Sequence, residues 1–156
     1  KVALAIKNGH RQVRPIADFT DFSRRHTQYR LHAARVLGLA RPEGDDWELT
    51  VLGEKLLESK LASSAERVVY ADAITNSAIM QILAPDLLGT APPTADTLTE
   101  RICELADLSA PTARRRAIGL LTWRERVLDT TVAGLRQAKP KPAVEKAPEV
   151  SQLTLF

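Results

Sequence analysis

Apolar residues along this chain recur mainly at helical spacing, in segments punctuated by Gly, Pro, Asn, Ser and Thr. Val2 to Lys7 reads as the end of an apolar helix stopped by Asn8-Gly9. Pro15 to Phe19 starts a short helix, Pro being favoured in a first turn. Asp21-Phe22-Ser23 is a turn whose Ser23 caps a helix running to about Leu37, and Gly38 supplies the stop. Glu43 to Asp46 reads as a turn and Trp47-Glu48-Leu49 alternates like a short strand. Thr50 then caps a helix from about Val51 to Glu58.

The second half repeats part of this order. Ser63 to Glu66 precedes an apolar helix through about Thr75, and more helix follows to Leu83, where Pro85 interrupts. Gly89 to Pro93 is a loop, and Thr94 or Thr97 caps a helix through Leu105. After the turn Asp107-Leu108-Ser109, a helix opened by Pro111 carries Thr112-Ala113-Arg114-Arg115-Arg116 to about Leu128. Helix, short turn and Arg-bearing helix is helix-turn-helix spacing. From Ala138 to Val150 the composition turns to Lys, Pro, Ala, Glu and Val, which cannot bury enough apolar surface to order itself.

The predicted fold is therefore mostly α, with one small wing. The order of short helix, turn, Arg-rich helix and turn-strand is that of a winged helix-turn-helix, and Trp47 to Leu57 closely resembles the wing-to-helix passage of bacterial winged-helix domains. The expected organisation is a winged helix-turn-helix over residues 1–60 and a second helix-turn-helix-like unit over 61–130, packed on the first. A disordered linker over 131–151 and a terminal peptide over 152–156 complete it.

Charge sharpens this picture through its distribution, since the formal net charge is only +3. Of fifteen Arg, six lie between Arg11 and Arg35 and six between Arg101 and Arg126. The planar guanidinium suits bidentate contacts to phosphate and guanine. Helical projection of the segment from Arg24 puts Tyr29, Ala33, Val36 and Leu37 on the core side, and Arg24, Gln28, Leu31, His32 and Arg35 on a partner side. In the last helix Ala113, Ala117, Leu120, Leu121 and Leu128 form the core side. Thr112, Arg115, Arg116, Gly119, Thr122 and Arg126 face the opposite way, while Arg114 flanks the core and pairs within the chain. The expected partner is double-stranded DNA, touched by Arg24, Arg25, Thr27, Gln28, Arg35, Thr112, Arg115, Arg116, Thr122 and Arg126. Helix-turn-helix units also serve as protein-protein modules, which stays open as an alternative.

Composition narrows the classes. Cys103 is the one cysteine in the sequence, so it cannot make an intramolecular disulfide and has no cysteine partner for a zinc cluster. It is expected as a buried filler on its helix. A reducing, cytoplasmic and nucleoid-associated location follows as an expectation. No apolar run is long enough to cross a membrane, and no signal-peptide pattern opens the chain. His10, His26 and His32 are not at metal-ligand spacing with Cys103, no Gly-rich phosphate loop or catalytic triad is present, and no cofactor is expected. The chain reads as a binding module and not an enzyme by itself, unless a catalytic domain precedes Lys1.

The chain's last five residues, Gln152-Leu153-Thr154-Leu155-Phe156, resemble the bacterial sliding-clamp-binding motif, Gln-Leu-Ser/Asp-Leu-Phe, at four of five positions. The resemblance implies that Gln152 hydrogen-bonds the clamp surface and that Leu153, Leu155 and Phe156 fill its apolar pocket. The alternatives are a chance match and a tail that folds back onto its own domain. Residues 9 to 128 resemble winged-helix domains attached to bacterial restriction-modification, defence and repair proteins, through Thr112-Ala-Arg-Arg-Arg116 followed by Trp123. The expected function is thus DNA binding tethered to the sliding clamp in replication, repair or defence. The alternatives are a dimeric transcription regulator and the DNA-reading part of a nuclease.

Overall fold

Ten elements make up a computed structural model that describes residues 1–128. The linker and peptide expected over 131–151 and 152–156 lie outside the described residues. Three helices come first, α1 (Val2–Lys7), α2 (Val13–Thr20) and α3 (Arg24–Val36), then an antiparallel hairpin of β1 (Ala40–Glu43) and β2 (Asp46–Leu49). Five more helices follow: α4 (Val51–Glu58), α5 (Ser64–Asn76), α6 (Ala78–Leu83), α7 (Ala95–Leu105) and α8 (Ala110–Leu128). Among the described residues the fold is mostly helical, with a single two-stranded sheet, and no helix is long and apolar enough to cross a membrane.

The helix starts follow the capping chemistry of the sequence. Ser23, Thr50, Ser63, Ser77 and Thr94 each accept a hydrogen bond from the backbone N–H three residues on, satisfying a donor that the first turn leaves open. Gly38, at a left-handed φ of 63°, turns the chain out of α3. Strand β1 is not predicted by the hydrophobic pattern: it contains Pro42, which faces Trp47 across the hairpin. Pro is tolerated there because β1 is an edge strand with no ladder beyond it. On the opposite edge of β2, the Trp47 N–H donates to the Arg11 carbonyl at 2.8 Å, so the segment between α1 and α2 runs along the sheet.

One hydrophobic core runs through both halves, from Val2, Ile6, Ile16 and Leu31 to Leu98, Ile102, Ala117 and Val127. The expected boundary at residue 60 falls between α4 and α5 without dividing that core. One polar fixture joins the halves and another braces the second half. The Ser77 hydroxyl donates to the Val36 carbonyl at 2.5 Å, tying the start of α6 to the end of α3. The buried Glu66 carboxylate accepts from the Ala62 N–H at 2.8 Å and from Arg126 Nη2 at 2.7 Å, tying the start of α5 to the end of α8. Cys103, expected as a buried filler, is exposed, because the buried stripe of α7 is Leu98 and Ile102.

The hairpin and α4 are seated on the turn after α3. Thr50 donates its hydroxyl to the Gly38 carbonyl at 2.6 Å and its N–H to the Leu39 carbonyl at 3.2 Å. Gly53, one turn into α4, is buried so closely that a Cβ there would lie 2.0 Å from the Leu39 oxygen. Gly53→Ala is therefore expected to push α4 off this seat and cost about 1–3 kcal/mol, as overpacking does. A urea melt measures it; a midpoint equal to wild type would show that the seat yields.

Candidate nucleic-acid interface

The orientation of α3 decides which of its side chains can meet a partner. Its buried residues are Thr27, Leu31 and Ala34, spaced four and three apart on one stripe. Leu31 has no accessible surface, whereas Tyr29 is 45% exposed. This corrects the projected faces: Leu31 belongs to the core and Tyr29 looks away from it, while Leu37 is buried as projected, Val36 packs half-buried against the core, and the helix is turned by roughly a third of a turn. The physical reason is Thr27, whose hydroxyl donates to the Ser23 carbonyl at 3.2 Å and so tolerates burial. Thr27 is thereby removed from the expected DNA contacts. Arg24, Arg25, Gln28 and Arg35 remain exposed.

On α8 the expected core side holds for Ala113, Ala117, Leu120 and Leu121, and Val127 joins it, whereas Leu128 is partly exposed. The cations of α7 and α8 divide into two groups. Arg101 donates to the Asp86 carboxylate at 3.0 Å and to the Leu83 carbonyl at 3.3 Å, fixing the loop after α6. That bond holds the Asp86 carboxyl below the usual carboxylate range. Arg114 pairs with Asp96, and Arg124 donates to the Gly89 carbonyl at 3.3 Å. Arg126 pairs with Glu66 and lies 5.1 Å from the centre of the Tyr70 ring, so its guanidinium is engaged within the chain although it stays exposed. Burial of Tyr70 raises its phenol, and the Arg126 charge opposes that rise.

Arg115 and Arg116 are exposed and make no ion pair with a described residue. The Arg116 guanidinium lies 5.9 Å from the centre of the Tyr29 ring, and Arg25 on α3 lies 5.6 Å from it, with Arg25 Nε donating to the Tyr29 oxygen at 3.2 Å. The two Arg-bearing helices thus meet at Tyr29. Its phenol is lowered from its ordinary range by the Arg25 hydrogen bond and charge first, and then by Arg116 and Arg115. The Thr122 hydroxyl spends its one hydrogen on the Ile118 carbonyl at 3.0 Å, leaving none for a phosphate. Thr112 is half-buried, its hydroxyl 3.0 Å from that of Ser109.

Tyr29 is the residue that sequence reasoning missed. Its signal was the i, i+4 pairing with Arg25, which favours contact on an exposed helix face. Beside it opens an apolar groove of about 570 Å³ between α3, α6, α7 and α8, lined by Val36, Ile79, Ile82, Leu83, Leu105 and Trp123 among others. Tyr29, His32 and Arg116 supply its polar lining.

The two classes of arginine differ in a way that melts can read. Arg126→Ala strands the Glu66 carboxylate, which is only 5% exposed, and is expected to cost about 1–3 kcal/mol. Arg115→Ala is expected to leave the midpoint unchanged. Equal effects of the two substitutions would refute this division. Set against protein-family models, curated proteins and solved structures, the chain has no match in any of the three.

Proposed function

We propose that this chain is a double-stranded-DNA-binding module tethered to a bacterial sliding clamp through Gln152 to Phe156, acting in replication, repair or defence. The observation that carries the DNA half is the convergence of Arg25 from α3 with Arg115 and Arg116 from α8 around Tyr29. Arginines some ninety positions apart in the chain present guanidinium groups at one place, free of carboxylate partners among the described residues. Such a cluster suits a polyanion.

Element order supports reading residues 2–58 as a winged helix-turn-helix: α2 and α3 form the paired helices and the β1–β2 hairpin the wing. The Arg11 segment runs along β2 where a third strand would pair. In this reading α3 approaches the major groove with Arg24, Arg25, Gln28 and Arg35, and α8 contributes Arg115 and Arg116 to the phosphates. Thr112 stands at the start of α8 beside them. The clamp half rests on the resemblance of Gln152 to Phe156 to the clamp-binding motif, at the end of a Pro- and Lys-rich stretch.

Fluorescence anisotropy with a labelled duplex across a salt series tests the DNA half. Arg115→Ala/Arg116→Ala is expected to weaken binding and flatten the log–log salt slope by about 0.9 for each phosphate that the variant no longer neutralises. If affinity and slope are unchanged in that variant and in Arg24→Ala/Arg25→Ala, the assignment of the face is wrong.

Titrating a sliding clamp with a Ser151–Phe156 peptide tests the other half. Micromolar-range binding is expected, since burial of two Leu and one Phe is set against ordering of the peptide. Leu155→Ala/Phe156→Ala is expected to weaken it about a hundredfold or more. A double variant that binds as wild type does retires the clamp contact and leaves the DNA half standing.

A further inference from the structure

The groove beside Tyr29 is apolar, about 570 Å³ in volume, and has no occupant among the described residues. Ile82 on α6 is 68% exposed, Ile79 is 52% exposed and Leu105 on α7 is 57% exposed, and all three line it. Its lining is aliphatic apart from Trp123, and its polar groups are Tyr29, His32 and Arg116. Gly119, in the middle of α8, also lines it. A Cβ at Gly119 would meet no heavy atom within 4 Å, so no internal packing requires glycine there. Glycine weakens the interior of a helix relative to alanine. The absent side chain leaves space on the groove side of α8.

We propose that this groove is the seat of the chain's own segment Gln152–Phe156, which docks there in cis. Three large apolar side chains in five residues, Leu153, Leu155 and Phe156, match an aliphatic groove of this size, and pockets of about 300–1,000 Å³ hold ligands of that bulk. Tyr29, His32 and Arg116 can hydrogen-bond the carbonyl groups of an extended backbone. Reach favours the chain itself over a second copy. Residues Asp129 to Ser151 separate the end of α8 from Gln152, and a coil of that length spans roughly 26 Å root-mean-square. Trp123 and Gly119 lie only about 8 and 14 Å back along α8 from Leu128. Intramolecular tethering at such a span gives an effective concentration of about a millimolar, so a weak contact is populated.

Docking in this seat covers Tyr29 and Arg116. The same five residues are those assigned to the clamp, so clamp and groove exclude each other; that consequence, unlike the docking itself, rests on the proposed function. A clamp that captures the segment uncovers the Arg-Tyr cluster and makes DNA contact conditional on clamp contact.

The test uses the full chain with a spin label on Cys103, the one cysteine, which is exposed on α7 two residues from Leu105. In isotope-labelled protein, the amide signals of 152–156 are expected to be broadened several-fold by the label. Gly119→Leu, which fills the groove, and Leu155→Ala/Phe156→Ala are each expected to restore them. A melt of Gly119→Leu reports its folding; if it fails to fold, Ile82→Ser takes its place. Absence of broadening overturns the proposal, as does broadening that survives both groove variants. Broadening that also appears when spin-labelled chains are mixed with separate isotope-labelled chains assigns the seat to a second copy and overturns docking in cis. Added clamp is expected to remove the part of the broadening that depends on the label, read as the ratio of signals with the label oxidised and reduced; if that ratio is unchanged, the clamp contact fails and the docking stands.

Discussion

Leu31 and Thr27 lie on one stripe of α3 with no accessible surface, and the position of nearly every functional side chain depends on that burial. The stripe is thin, and it includes a threonine that can be buried only because its hydroxyl reaches the Ser23 carbonyl. Once it faces the core, Arg25 and Tyr29 must point away from it, toward α8. Ser23 contributes twice: its side chain caps the helix and its carbonyl receives Thr27. A small polar fixture at the start of α3 therefore sets the presentation of the whole Arg-bearing face.

The second requirement is that α8 stand where its arginines meet that face. Its core side is built largely from Ala113, Ala117, Leu120 and Leu121, with alanines that let neighbouring helices come close. Few large aromatic residues are available to lock such a core. Polar fixtures therefore carry weight that packing alone does not. Glu66 and Arg126 hold the far end of α8 against α5, and Ser77 holds α6 against the end of α3. The groove lies between α3, α6, α7 and α8.

Much of this was legible in the sequence because helix ends are local. Ser23, Thr50, Ser63 and Thr94 announce their helices through one side-chain bond each, and Asn8-Gly9, Gly38 and Pro85 end others. The phase of α3 was not legible, since Tyr29, Ala33 and Val36 make a second apolar stripe as convincing as the true one. Only the three-dimensional neighbours show that this second stripe borders a groove. Strand β1 was hidden by Pro42, which argues against a strand unless the edge position is known. The division of the arginines was equally hidden: Arg126 finds Glu66 sixty positions away, a partner that no spacing rule reveals.

The same division bears on how strong any DNA contact can be. Arg101, Arg114, Arg124 and Arg126 are engaged with their own chain, so α7 and α8 offer only Arg115 and Arg116 outward. With those on α3, the outward guanidiniums amount to a handful, on a chain whose net charge is +3. Binding driven by counterion release grows with the number of phosphates neutralised, so on the proposed reading such a face alone would bind duplex weakly at physiological salt. Weakness of this kind is a liability for an isolated operator-binding protein and an advantage for a tethered one. On the proposed reading, a second weak contact on the same chain multiplies the first, and each can be released without breaking a tight complex. On that same reading, the modest charge, the internally committed arginines and the apolar residues Leu153, Leu155 and Phe156 favour a module whose residence on DNA is set by a partner already there.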